Sequence, residues 1–293
     1  MMKNRSTKIL SAFTALIISG CTQIGLGVAN LPANLSKAEI KEDIAYGSED
    51  WQKLDIYIPE NSTQTKLPIV IFFYGGRWTD GSKDLYRFIG KAFSDKGYIV
   101  VIPDYSKYPS VKFPEFVNDA AAAIAWTYKN IDQYGGDNNN LFVSGHSSGA
   151  HIGALAFADA RYLKEFDLTP DIVTAFAGMA GPYDFVPQDE DLKDIFGPPE
   201  QYPQMRVTTF IDGSEPPMLL LWGENDNAVW ERNHRLLSEK ILEKGGDVEV
   251  KTYKDINHVD IIAALTWFMR GKAPVYEDIL SFFEKHKTKE EKS

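Results

Sequence analysis

Apolar residues in this chain come in short unbroken runs, separated by longer stretches in which they recur every three or four positions. "LPIVIFFYGG" (67–76) and "GYIVVIPDY" (97–105) are continuous apolar runs, the pattern of strands covered on both faces. "NLFVSG", "IVTAFAGMAG" and "PPMLLLWG" repeat that pattern, "DVEVKTY" is a more exposed version, and "KLDIYIP" alternates as a half-exposed antiparallel strand would. Between them lie the helical patterns "KDLYRFIGKAFSDKG", "FPEFVNDAAAAIAWTYKNI", "AHIGALAFADARYL" and "NHRLLSEKILEKGG", several of them closed by glycine. Strands alternating with helices predict an α/β fold, a mostly parallel sheet with helices on both faces. A proline-rich stretch, 184–215, interrupts the alternation and reads as a small lid-like insertion.

The N-terminus follows a different logic. Lys3, Arg5 and Lys8 precede the run "ILSAFTALII", too short to stay as a membrane span, so residues 1–20 are expected to be a secretory signal. It ends in "ISGC", and Cys21 is the only cysteine in the chain. This resembles a bacterial lipobox, whose cysteine is lipidated and becomes the mature N-terminus. Residues 21–40 show no sustained period and are expected to be a lipidated tether to a domain spanning 41–286, with 287–293 a charged, frayed tail. Thr22 after the cysteine points, by the lipoprotein sorting rule, to the outer membrane of a bacterial envelope.

Composition changes this picture in two ways. Of 293 residues, 31 are basic and 41 acidic; without the signal the balance is 28 against 41, so neither nucleic acid nor anionic lipid is an expected partner and the acyl chains must hold the protein at a membrane. With Cys21 lipidated, no thiol is left for a disulfide, a nucleophile or a zinc site, and the fold must rely on its core.

The candidate chemistry centres on "GHSSG" (145–149), which follows a strand pattern and precedes a helical one. Strand, glycine-bounded serine and helix form the nucleophile-elbow pattern, with Ser147 at the turn. A serine hydroxyl needs a base, and imidazole suits neutral pH. Of the five histidines, His146 and His151 are too close in sequence to approach Ser147 usefully and are expected to be structural or pocket-lining. His234 lies within a helical pattern and His286 in the charged tail. His258, in "KDINHVD" after the last strand, is the expected base. Asp226, just beyond the most apolar run, is the expected acid, with Glu224 and Asp255 as rivals. Oxyanion donors are expected from the backbone of Ser148 and from the "YGGRW" turn, at Gly75, Gly76 and Arg77. This chemistry requires no metal or organic cofactor.

These residues together resemble α/β-hydrolases of the esterase and lipase type, especially those with an H-G-G-x-W oxyanion motif, including kynurenine-formamidase-like enzymes and small carboxylesterases. The resemblance runs from about Lys53 to Phe283 through "FFYGGRW", "GHSSGA", "GPYDF", "LLLWGENDNAV" and "INHVD". It implies an α/β-hydrolase fold, a Ser147–Asp226–His258 triad and hydrolysis of small or medium esters through an acyl-enzyme. The alternatives are hydrolysis of an aryl-formamide or other amide, and a noncatalytic ligand-binding lipoprotein. Tyr74 stands where the motif has histidine, and Arg77 where some members have a third glycine. Arg77 is expected to pair with an acid or face solvent rather than hold a substrate carboxylate. Within the insertion, Phe185, Phe196 and Tyr202 are candidate pocket residues, each individually more expected in packing.

Overall fold

The computed structural model describes residues 25–34, 39–60 and 66–288. Eight strands, β1 (Glu39–Ala45), β2 (Lys53–Ile58), β3 (Leu67–Phe73), β4 (Ile99–Pro103), β5 (Gly136–His146), β6 (Ala175–Met179), β7 (Met218–Gly223) and β8 (Val248–Tyr253), form one sheet in the order β1-β2-β4-β3-β5-β6-β7-β8. β2 runs antiparallel to β1 and β4, and the pairs from β4 through β8 are parallel. The helices are α1 (25–34), α2 (Arg87–Ser94), α3 (Glu115–Asn130), α4 (Ser148–Ala158), α5 (Ala160–Lys164), α6 (Glu190–Phe196), α7 (Tyr202–Met205), α8 (Arg232–Glu243), α9 (His258–Ala263) and α10 (Val275–His286). α2 and α10 pack on each other through Phe93, Tyr276 and Phe283, while α3 and α4 pack together against β5. The architecture is the α/β-hydrolase fold.

The continuous apolar runs become the central strands because only a strand with helices on both sides buries every side chain. All of β3 and β4 is buried, as is β5 from Asn140 onward. β2 departs from expectation. Its alternating pattern suggested one wet face, yet Leu54, Asp55, Ile56 and Tyr57 are all buried. The cause is tertiary: β1 covers its outer edge, and the Tyr57 ring lies so close to Gly90 of α2 that a Cβ there would sit 2.5 Å from it.

The stretch expected to be a tether from 21 to 40 is docked over much of its length. α1 buries Ala29 and Ala33, and its Asn30 side chain donates to the carbonyls of Asp84 and Leu85 and accepts from the Phe88 amide. β1 then begins at Glu39, so residues 25–34 and 39–45 belong to the domain. At the other end, the Thr288 amide donates to Asn140 Oδ1 at 2.7 Å, tying down the start of the expected tail. Cys21, the signal and residues 289–293 lie outside the described residues.

The insertion expected at 184–215 lies between β6 and β7 and carries α6 and α7. It is packed as well as bridging. Phe196 is buried, meeting Trp78 edge-on at 4.8 Å, Tyr202 is buried, and Phe185 stacks on Trp78 at 5.5 Å.

The junction of β5 and α4 is the tightest place in the fold. A Cβ on Gly149 would lie 2.1 Å from the Phe73 carbonyl oxygen and 2.3 Å from that of Tyr74, and one on Gly145 would lie 2.7 Å from the Ala150 nitrogen. Gly153, one turn on, would meet only the Phe73 ring at 3.0 Å and Val143 at 3.4 Å, both side chains able to give. Gly149→Ala is therefore expected to lower stability by about 1–3 kcal/mol through overpacking. Gly153→Ala should cost far less, offset by the gain in helix propensity. Denaturation midpoints of the two variants check this.

Candidate active site

β5, β7 and β8 deliver the three sequence-predicted side chains to the carboxyl end of the sheet, where a parallel sheet leaves its crevice. Ser147 follows β5 directly, in a backbone conformation (φ 54°, ψ −126°) that side-chain-bearing residues rarely adopt. Its amide is held by the Met179 carbonyl at 2.9 Å, and its own carbonyl receives the His151 amide of α4. The turn thus projects the hydroxyl clear of both elements.

The acid and base loops are joined to each other before their side chains meet. Glu224 N donates to Tyr253 O at 3.0 Å and Asn225 N to Ile256 O at 2.9 Å, so the segment after β7 is bonded to the segment after β8. His258 then opens α9, capped by Asn257, whose side chain accepts from the amides of Val259 and Asp260 while Asp260 reaches back to the Asn257 amide. The result is a continuous chain: Asp226 Oδ2 lies 2.8 Å from His258 Nδ1, and His258 Nε2 lies 2.9 Å from Ser147 Oγ. Neither sequence rival makes this contact. The Glu224 residue is exposed, and Asp255 occupies a left-handed turn (φ 60°) in the histidine loop.

Asp226 is equipped to stay ionised. Burial opposes its charge, but the hydrogen bond and Coulombic attraction of His258, with the amides of Val229 and Ala228 on Oδ1, outweigh it and hold the carboxyl below its ordinary value. An ionised carboxylate on Nδ1 fixes the imidazole tautomer that leaves Nε2 free to accept the serine proton.

The oxyanion turn departs from expectation in one respect. The Gly76 amide, predicted as a donor, gives its hydrogen to Ser148 Oγ at 3.0 Å. The side chain beside the nucleophile thus occupies it, leaving Gly75, Arg77 and Ser148 as the expected donors whose amides make no hydrogen bond to a protein acceptor among the described residues. The Ser148 amide is one of the unpaired donors at the start of α4. Gly75 contributes space: a Cβ there would fall 2.9 Å from His146 Nδ1 and 3.0 Å from the His146 carbonyl. Arg77 and Trp78 both have positive φ, 55° and 61°, and shape the turn. The Arg77 guanidinium is committed to Asp189 at 2.7 Å and Asp191 at 3.2 Å, which ties the insertion to the turn and leaves the pairing expectation standing over the substrate-carboxylate one.

Tyr74 replaces the motif histidine without leaving a gap. It is fully buried between the rings of Tyr86 (5.5 Å) and Tyr105 (4.7 Å), and its hydroxyl donates to Asp104 Oδ1 at 2.5 Å. The Tyr105 hydroxyl in turn donates to the Tyr74 carbonyl, fixing the peptide from which the two glycines depart.

Sequence reasoning undervalued His146. Its ring lies 4.8 Å from that of His258, and its Nε2 is 2.9 Å from the His258 carbonyl, which can only accept, so Nε2 carries the hydrogen. Adjacency to Ser147 hid this, because the contact is with a residue 112 positions away. His151 is likewise buried, its Nε2 on the Met205 carbonyl at 2.7 Å, which anchors α7 of the insertion. Two surface cavities, of about 480 and 500 Å³, lie elsewhere, and no triad residue lines either.

The fold and the serine–histidine–aspartate geometry define the class, a serine hydrolase on the α/β-hydrolase scaffold. Within that class the chain belongs to the BD-FAE family, whose family model matches residues 54–241. It is similar to the isoprenylcysteine alpha-carbonyl methylesterase ICME of Arabidopsis thaliana, 24% identical over 93% of this chain and 67% of that protein. It also resembles the probable isoprenylcysteine alpha-carbonyl methylesterase ICMEL1 of the same plant, 26% identical over 93% of this chain but only 60% of the relative's length. Thermogutta terrifontis esterase 2 phosphoramylated by tabun superposes with a TM-score of 0.70 at 22% identity, over 85% of this chain and 94% of that one, a likeness in fold.

Two predictions come from the buried histidines. Burial depresses His146 to about 3 and His151 to about 4, from an ordinary 6.5. As pH falls below 6.5 the unfolded chain takes up these protons and the folded one does not, so their stabilising contribution, full above 6.5, is lost toward 4. His151→Gln should reduce the slope of stability against pH in that window by about 1.4 kcal/mol per pH unit, one proton's worth, in urea titrations. His146→Phe keeps a ring but removes the donor to the His258 carbonyl. It is expected to lower kcat about ten-fold with KM little changed, whereas His146→Gln, which retains a donor, should recover part of the loss.

Proposed function

We propose that this protein is a carboxylic-ester hydrolase acting on small or medium esters, tethered to the bacterial envelope, on its outer membrane, by a lipidated Cys21. The observation that carries the hydrolase reading is the bridging position of His258, 2.8 Å from the buried Asp226 carboxylate and 2.9 Å from Ser147 Oγ. In this reading Ser147 Oγ attacks the ester carbonyl carbon as its proton passes to His258 Nε2. The tetrahedral oxyanion takes hydrogen bonds from the Arg77 and Ser148 amides, with Gly76 joining when Ser148 Oγ yields it. Collapse expels the alcohol, which leaves with the proton held by His258, and the acyl group stays on Ser147. Water, deprotonated by His258, then attacks the acyl-enzyme and releases the acid, returning the proton to Ser147.

Two relatives named as methylesterases or probable methylesterases and a structural neighbour named as an esterase favour an ester, and the kynurenine formamidase of Danio rerio, 32% identical over 50% of this chain, stands on the amide side. The envelope reading rests on the sequence of the first 21 residues. Among the described residues no helix is long and apolar enough to cross a membrane, so in this reading attachment falls to the acyl chains.

Ser147→Ala is expected to lower turnover of p-nitrophenyl acetate, butyrate and octanoate by about 10⁴-fold or more, the size of loss seen when a triad nucleophile is removed. Circular dichroism should be unchanged. Equal turnover by the variant and the parent would remove the serine from the mechanism, and faster release of p-nitroaniline from an anilide than of p-nitrophenol would reassign the substrate to amides.

A further inference from the structure

One surface departs from what a solvent-facing element should look like. α1, with the sequence "GLGVANLPAN", contains no charged residue. One side of it faces the domain through Ala29, Asn30 and Ala33, yet the positions turned away carry Val28 and Leu31, 39% and 49% exposed. A surface helix ordinarily places polar side chains there. Beside it the loop after α9 presents Trp267 and Phe268, 56% and 45% exposed, with ring centroids 5.2 Å apart. The Trp267 indole donates to the Val28 carbonyl at 3.4 Å, so helix and loop form one apolar surface. The neighbouring cations are already engaged. Lys272 pairs with Asp260, and Arg270 lies over the Tyr276 ring and donates to the Leu265 carbonyl. What the patch offers is therefore apolar and aromatic area rather than charge.

The chain connects this patch to its proposed anchor. Only three residues lie between Cys21 and Gly25 at the start of α1, so the four residue-to-residue steps reach at most about 14 Å even fully extended. A lipidated Cys21 would hold α1 within that distance of the bilayer surface, at the depth where tryptophan is favoured by its apolar body and polar N–H. We propose that Val28, Leu31, Trp267 and Phe268 form a docking face that rests in the interfacial layer of the bilayer carrying the anchor. The acyl chains supply attachment, and the patch fixes which side of the domain faces the lipid. This inference rests on the lipidation reading given above. It goes beyond that reading in assigning an orientation, since a flexible leash would leave the domain free to tumble.

Cys21 is the only native cysteine, so in the acylated protein a cysteine placed elsewhere is the sole free thiol. The full chain is expressed in a host that lipidates its envelope proteins, as Leu31→Cys, as Trp267→Cys, and as Leu242→Cys on the exposed face of α8 for comparison. Each is purified in detergent, checked by circular dichroism for folding and by intact mass for acylation, labelled with bimane, and reconstituted into phosphatidylcholine vesicles containing shallow doxyl-labelled lipid. An interfacial apolar face sits about 5–10 Å into the headgroup boundary, so the labels at 31 and 267 should lose most of their emission while the label at 242 keeps its own. Acylated protein with equal emission at all three positions overturns the docking face and leaves the anchor intact. A free thiol at Cys21 in the intact mass overturns the anchor and the docking face together. Disulfide-linked dimers through position 267, formed when a portion of the Trp267→Cys protein is reconstituted without label, assign the patch to a second copy and overturn the lipid assignment.

Discussion

Everything at this site depends on how closely α4 can approach the end of β3. The helix must start immediately after β5 for Ser147 to stand at the crest of the turn, and it can do so only because position 149 has no side chain to strike the carbonyls of Phe73 and Tyr74. That approach sets the Ser147 backbone in its rare conformation, turns the first amides of α4 toward the crevice, and brings Ser148 Oγ onto the Gly76 amide. Nucleophile and oxyanion turn are consequently parts of one packed junction. Strain at Ser147 persists because the Met179 carbonyl, the His151 amide and the crowded glycines over-determine it.

The second half of the site is built by a different device. Asp226 and His258 sit on loops after neighbouring strands, and two backbone hydrogen bonds between those loops set the distance before the side chains are considered. His146 then joins the halves. It belongs to the elbow, yet it donates to the backbone of the base and packs against the turn at Gly75. Its ring stays neutral because it is fully enclosed, so it adds no repulsion when His258 becomes charged.

How much of this could be read from the sequence follows from the range of the interactions involved. β3, β4 and β7 were legible because a strand buried on both faces must be apolar at every position, and Ser147 was legible because strand, glycines and helix are contiguous. Asp226 and His258 were legible as positions, by strand-end logic, while Glu224 and Asp255 could be set aside only once the loop geometry was known. β1 was missed because "EIKEDIA" is largely exposed, held by pairing to β2 rather than by its own pattern. α1 was missed because its docking depends on Asn30 meeting the backbone at 84–88, a partner about 55 residues away. The half-exposed reading of β2 failed for the same reason, as nothing within "KLDIYIP" announces that both its faces are covered. Ser148 on the Gly76 amide was likewise invisible, being a contact between two motifs each read alone.

β8 is the last strand of the sheet, with a neighbour on one side only and three of its six residues exposed. The base is therefore carried from an edge strand of the scaffold, while the nucleophile stands on one of its most enclosed. Wear in this molecule should begin at that margin: a warmed or aged sample would go silent as a catalyst while its spectrum still looked native, and spectroscopic integrity would be a poor proxy for competence.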